Sequence, residues 1–304
     1  MVQATPTQHR RAVGAWLLVC IFWSTTFLAI RIGVESLPPL GMVSGARYLV
    51  AGLILGAIVF SRGVLLPSRD SWPGHALLGF LMLGLGNGAL VLAEQWVPSG
   101  MAAVMAAAVP FWMIGVEALL PSGERIRPLQ FAGLLLGFSG LVLLATAHSG
   151  PMGATRPQFL RGAILIQLSC CGWALGSAYS KRHARHENAF AAAAMQMVFG
   201  GVMLLATGVI LGEFRTFHLT PAGAGAWVYL IVFGALVGYA SYNYALKYLP
   251  VATVSLYAYI TPVLAVILGA VVMREPFTRR MAVAVAIIFT GMVVVRRNAG
   301  TSRS

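Results

Sequence analysis

The chain has 304 residues, 59% of them hydrophobic and 10% charged, with a formal net charge of +13. Soluble domains carry about 25% charged residues, so this composition excludes a soluble globular protein and describes one that lives in a bilayer. The positive charge is scattered over the polar breaks instead of gathering on one surface, which argues against nucleic-acid binding.

Ten apolar runs follow one another with short polar breaks: 12–30, 40–60, 75–93, 99–119, 129–147, 161–180, 189–211, 224–246, 252–272 and 281–295. Each approaches or reaches the roughly 20 residues that carry a helix across a hydrocarbon core. The first follows Arg10 and Arg11, but it is too long for a signal peptide's apolar region and lacks a small-residue cleavage site, so it reads as an uncleaved helix. It carries Cys20 and Trp23 and stops at Arg31. The second run holds Arg47 in its interior, together with the small-residue pairs Gly41/Gly45 and Gly52/Gly56. The third contains GLGNG at 84–88, with Asn87 inside it; no strand or βαβ unit surrounds these glycines, so they are no nucleotide fingerprint. Glu94 closes this run.

The fourth run begins after Pro98 and meets Pro110 where the helix should continue, with Trp112 and Glu117 beyond it. A proline inside a helix removes a hydrogen bond at a cost of roughly 3 kcal/mol in water. The fifth holds another small-residue pair, Gly133/Gly137. Such pairs allow close helix approach and serve either packing within the bundle or a homodimer contact; the sequence does not choose. In the sixth, Trp173 is flanked at four-residue spacing by Ser169 and Ser177. Cys170 and Cys171 lie beside it, and with Cys20 they match no metal spacing and read as buried small hydrophobes. His183 and His186 in the following loop read as a solvated cytoplasmic face. The eighth run places Tyr239, Tyr242 and Asn243 on one helical face, and the ninth repeats the trick with Thr253, Tyr257 and Thr261 beside Pro262. Trp16, Trp96, Trp227 and Tyr248 lie near run ends and suit an interfacial aromatic belt.

With the N-terminus in the cytoplasm, the inner segments hold thirteen Lys and Arg residues, among them Arg10, Arg11, Lys181, Arg182, Arg185, Arg296 and Arg297. The outer segments hold seven: Arg31, Arg156, Arg161, Arg215, Arg274, Arg279 and Arg280. The excess of inner cations predicts both termini in the cytoplasm.

Slid upon itself, the sequence repeats. At an offset of 150, Trp23 and Arg31 meet Trp173 and Lys181; at 152, Gly86, Asn87, Pro98 and Pro110 meet Gly238, Tyr239, Pro250 and Pro262; at 151, Glu124, Phe138 and Gly140 meet Glu275, Phe289 and Gly291. So steady an offset indicates duplication. Five runs per unit is an odd number, so the second unit must enter the membrane from the opposite side. The expected fold is an all-α integral membrane protein, with ten transmembrane helices as two inverted five-helix repeats around a site near the midplane. The boundaries read as a cytoplasmic tail 1–11, a first repeat 12–147, a connecting loop 148–160, a second repeat 161–296 and a cytoplasmic tail 297–304. Pro110 and Pro262 become symmetric hinge or gate positions.

The segment GNGALVLAEQWVPSGMAAVMAAAVPFWMIGVEALLPSGERI at 86–126, GLLLGFSGLVLL after it, and SLYAYITPVLAVILGAVVMREPFT at 255–278 resemble the two EamA domains of the drug/metabolite transporter superfamily. The resemblance covers essentially the whole chain and includes Arg47. It implies ten helices in two inverted halves, a bacterial inner-membrane location, and efflux of amino acids, metabolites or drugs. One departure stands out: where the family's second-half glutamate usually follows glycine, Glu275 follows Arg274.

Trp23, Asn87, Trp112, Trp173, Tyr239, Tyr242, Asn243, Tyr257 and Thr261 are the expected lining of a mostly apolar substrate cavity with a few polar contacts. Arg47 and Glu117 have two readings, charge coupling or structural pairing. No cofactor and no metal are expected. A membrane-embedded transferase would need acid/base or metal groups within reach of one another, which the mid-membrane residues do not supply. A nucleotide-sugar or sugar-phosphate carrier, known among the superfamily's relatives, would want several cavity cations where only Arg47 is plainly available.

Overall fold

The computed structural model describes residues 5–120, 128–146, 154–183, 187–274 and 278–299. They form ten helices: α1 Pro6–Val34, α2 Pro39–Ser61, α3 Arg69–Ala93 and α4 Ser99–Leu119; α5 Pro128–Thr146; α6 Arg156–His183, α7 Ala189–Ile210 and α8 Pro221–Tyr248; α9 in two pieces, Val251–Val254 and Tyr257–Val272; and α10 Arg279–Ala299. Seven of them, α1 to α4 and α6 to α8, are long and apolar enough to cross a membrane by length and composition. The expected positions of Glu124, Glu275 and His186 lie outside the described residues.

Local chemistry sets the ends. Thr5 and Gln8 form a capping box ahead of α1, with Pro6 in the first turn where its missing N–H costs nothing. Asn188 caps α7 and Thr220 caps α8. Beyond the end of α7, Gly212 takes φ 71°, the left-handed conformation that closes a helix. Arg274, after α9, also has a left-handed φ of 53°. A side chain there is strained, which explains why glycine is usual at this turn.

The bundle is apolar outside, and its largely apolar core encloses a small set of buried polar groups. Leu17, Ile21, Leu53, Phe80 and Val209 are exposed, whereas Ser24, Arg47, Gln196, Asn243 and Thr261 are buried. That arrangement is the one a lipid solvent selects, because polar groups in hydrocarbon must find partners inside the protein.

Packing between helices recurs in repeat-related pairs. α2 packs on α7 and α5 on α10; α3 against α6 is matched by α8 against α1, and α1 against α9 by α6 against α4. At the α2–α7 crossing a Cβ on Gly45 would stand 2.4 Å from the backbone N of Leu205, and one on Gly201 the same 2.4 Å from that of Leu49. The two backbones touch, which only glycine allows. Gly52 and Gly137 likewise meet α7 and Phe111 within the bundle, so these small residues serve internal packing.

α3 and α8 are both wound wide as π helix, over Gly79–Gly88 and Leu230–Tyr239. Wide turns of this kind concentrate at functional sites. α4 and α9 are both broken, but not at their prolines. The breaks fall at Ala107–Ala108 and Ser255–Leu256; Pro110 starts the second piece of α4, and Pro262 sits inside the second piece of α9. At α4 the proline supplies the reason, since Pro110 frees the carbonyl of Ala106 four residues upstream; in α9 the break lies six residues ahead of Pro262, which would free Ala258 O inside the second piece. Carbonyls around the breaks accept from side chains of the opposite half. Cys170 Sγ donates to Ala106 O at 3.7 Å and Gln167 Nε2 to Met105 O at 3.4 Å, while Trp16 Nε1 donates to Val254 O at 3.1 Å. Because of its break, α9 does not carry Thr253, Tyr257 and Thr261 on one continuous face.

Candidate functional site

The middle of the bundle is a cluster of rings drawn from four helices. Trp23 on α1 stacks on Tyr242 of α8 at a centroid distance of 5.2 Å, and meets Trp173 of α6 edge-on at 5.2 Å and Tyr257 of α9 at 5.1 Å. Trp173 contacts Tyr242 at 5.1 Å and Tyr239 at 6.1 Å. Tyr239 and Tyr242 are fully buried, and Trp173 and Tyr257 nearly so. Such edge-on and stacked pairs add to packing because ring edges and faces carry opposite partial charge. The two tryptophans are held by repeat-related neighbours: a Cβ on Gly238 would strike the indole N of Trp23 at 2.4 Å, and one on Gly86 would touch Trp173 at 3.0 Å.

Hydrogen bonds fix the polar edges of these rings. Trp23 Nε1 donates to Gly234 O at 3.3 Å. Tyr242 shares a bond with Ser177 at 2.8 Å, and Tyr239 donates its hydroxyl to Gln196 Oε1 at 2.6 Å. Asn243 Nδ2 reaches back to Tyr239 O at 3.0 Å, which holds α8 where the wide turns end. Thr261 is buried beside this region.

Next to the rings lies a buried cation. Arg47 is 1% exposed; its Nη2 donates to Asn87 Oδ1 at 2.6 Å and its guanidinium lies 4.3 Å from the Tyr48 ring centroid. Tyr48 in turn meets Tyr239 at 6.3 Å. A Cβ on Gly234 would stand 3.9 Å from Arg47 Nη1, so the residue that accepts from Trp23 also borders Arg47.

The structure thus brings together Trp23, Trp173, Tyr239, Tyr242 and Tyr257, and joins Asn87 and Arg47 to them. Trp112 lies apart: its indole donates to Gln167 Oε1 at 3.1 Å and its ring packs on Phe138. Glu117 is held by Arg182 through bonds of 2.7 and 3.1 Å, an ion pair that ties α4 to α6 at a half-exposed position. Trp16 and Trp227 are not simply belt residues, since both donate to carbonyls of other helices, Val254 and Met42. Arg31 and Lys181, repeat mates, both cap carbonyls that end other helices, Arg31 at Glu94 O and Lys181 at Leu249 O. Sequence reasoning missed Gln196 and Tyr48. Gln196 was detectable as a lone amide in an apolar run, AFAAAAMQMVFGG.

Among the described residues no group of three or more His, Cys, Asp or Glu side chains could hold a metal. The centre of this polytopic α-helical bundle gathers aromatic rings, amides and a guanidinium. A model of the EamA-like transporter family matches residues 10–146 and again 160–297, so the chain belongs to that family and is a membrane transporter of small solutes, not an enzyme. It is 36% identical over 283 residues to the "Uncharacterized inner membrane transporter YedA" of Escherichia coli (strain K12), covering 93% of this chain and 89% of that protein. It is 26% identical over 288 residues to the "Probable terminal-alkyne amino-acid exporter" of Streptantibioticus cattleyicolor, covering 94% of each. A solved crystal structure at 24% identity shares the fold with a TM-score of 0.66, over 96% of this chain and 99% of that one.

Proposed function

We propose that the protein exports small amphipathic solutes, amino acids or related metabolites, across the bacterial inner membrane by alternating access. In this reading the ten helices are two inverted five-helix repeats, both termini are cytoplasmic, and the rings at the centre receive the solute. The observation that carries it is the ring cluster itself, built from repeat-related tryptophans on α1 and α6, against which the two broken helices α9 and α4 pack. The reciprocal packing of helices supports the inversion. The amino-acid class draws support from the printed name of the Streptantibioticus relative, and the inner-membrane location from that of the Escherichia coli one.

Because the rings are packed on each other, loading requires α1 or α6 to move away from α8 and α9. The broken helices are where such movement is accommodated, since their carbonyls are held by side chains that can let go without unwinding a helix. The Glu117–Arg182 pair acts as a latch between α4 and α6 on the cytoplasmic side.

Proteoliposomes loaded with a panel of amino acids, cationic dyes and sugar phosphates test the proposal. Solute-specific flux is expected for amphipathic amino acids, and no flux of any solute from well-folded protein would refute it. Repeating the assay with an imposed pH gradient distinguishes proton-coupled antiport from facilitated diffusion. Pro262→Ala should slow turnover while leaving folding intact; unchanged kinetics would remove the hinge.

A further inference from the structure

The polar groups beside the rings are unevenly matched. Arg47 spends Nη2 on Asn87, but its Nε, fully buried, has no hydrogen-bond acceptor among the described residues. Gln196 is 0% exposed; its Oε1 is taken by the Tyr239 hydroxyl, and its Nε2 also has no acceptor. Tyr48 and Tyr239 connect the two, one under the guanidinium and the other bonded to the amide. Unused capacity at this place is therefore on the donor side and includes a full positive charge. Glu94, buried at the end of α3, acts on Arg47 through its Coulomb field. Arg47 makes no ion pair of its own with the described carboxylates.

Buried donors with no acceptor are costly, and a buried guanidinium still more so. A ligand that brings acceptor oxygens and a negative charge removes both penalties, and a carboxylate matches the planar fork of arginine. Beyond Arg47, across Gly234, lies the indole edge of Trp23, and the rings packed with it, Tyr242 and Tyr257, suit an apolar or aromatic body once they part. We infer that Arg47 anchors a carboxylate on the transported solute, so that the substrate class is a carboxylate with an apolar or aromatic body. The inference rests on the transporter reading.

The test compares 3-phenylpropionate, 3-phenylpropionamide, phenylalanine and phenethylamine for binding to the wild-type protein in nanodiscs, by quenching of tryptophan fluorescence and by thermal shift. The acid and phenylalanine should bind, the amide about tenfold or more weakly, and the amine least. Arg47→Lys should weaken acid binding by about tenfold, and Arg47→Gln should erase the preference for acid over amide. Equal binding of acid and amide, a preference for the amine, or binding by none of the four overturns the inference. The acid/amide comparison needs no variant, so it stands even where an Arg47 substitution prevents folding. Flux of the same four compounds and a cationic dye in proteoliposomes separates the two levels. Movement of dye or amine without the acids sinks the carboxylate anchor and leaves the transporter standing, whereas no movement of any solute sinks the transporter reading.

Discussion

In the first half, α2 reaches α3 through Arg47 and Asn87; in the second, α7 reaches α8 through Gln196 and Tyr239, and both bonds are 2.6 Å long. The positions correspond at offsets of 149 and 152 along the sequence. Duplication has preserved a polar bond between these helices in each half, since a polar group in a bilayer must be paired. It has not preserved charge. One half carries a cation and the other a neutral amide, so the ring cluster has a charged group on one side and a neutral one on the other. The ring cluster shows the opposite case, with tryptophan kept at both related positions. Tryptophan has been kept at these paired positions, whereas the electrostatics of the neighbouring polar bond has diverged.

Three sets of substitutions break or sharpen this comparison. The largest effect is expected at the seam that both halves share. Gly45→Ala and Gly201→Ala each push a methyl against backbone at 2.4 Å, and each should cost about 2–3 kcal/mol of stability, read as a lowered melting temperature in detergent. A loss in one variant alone would show that the seam is not equally shared. Next come the two polar bonds. Asn87→Ala should cost about 2 kcal/mol because it strands a buried guanidinium donor, whereas Tyr239→Phe should cost about 1 kcal/mol because a neutral bond is lost. Equal costs would mean that the charge of Arg47 does not distinguish the halves. The smallest effect is a gain. Arg274 occupies a left-handed turn, and its counterpart at an offset of 151 is Gly123. Arg274→Gly should raise stability by up to about 1 kcal/mol by relieving the strained backbone, with no effect expected on transport. A lower melting temperature would show that the arginine side chain supplies more than the strain removes.

Part of the site was legible because its residues announce themselves locally. Trp23, Trp173, Tyr239, Tyr242 and Tyr257 are large polar-tipped rings in apolar runs, and the repeat offset pairs the two tryptophans. Trp112 carried the same local signal and lies elsewhere, bonded to Gln167. Trp16 and Trp227 were read as belt residues because they lie near run ends, yet their acceptors are 238 and 185 residues away. The prolines predict breaks at their own positions, and the breaks lie upstream of them, where Ala106 O and Val254 O accept from Cys170 and Trp16 of the opposite half.

The sequence by itself determined a multi-pass helical membrane protein, a duplicated unit and the family, since run length, composition and repeat offset are properties of the chain read in order. Only the tertiary structure decided that Arg47 and Gln196 are neighbours of the same ring cluster, that α4 and α9 open ahead of their prolines, and that Glu117 is paired with Arg182. Those outcomes depend on helices distant in sequence coming within bonding distance, where burial requires each polar group to find a partner.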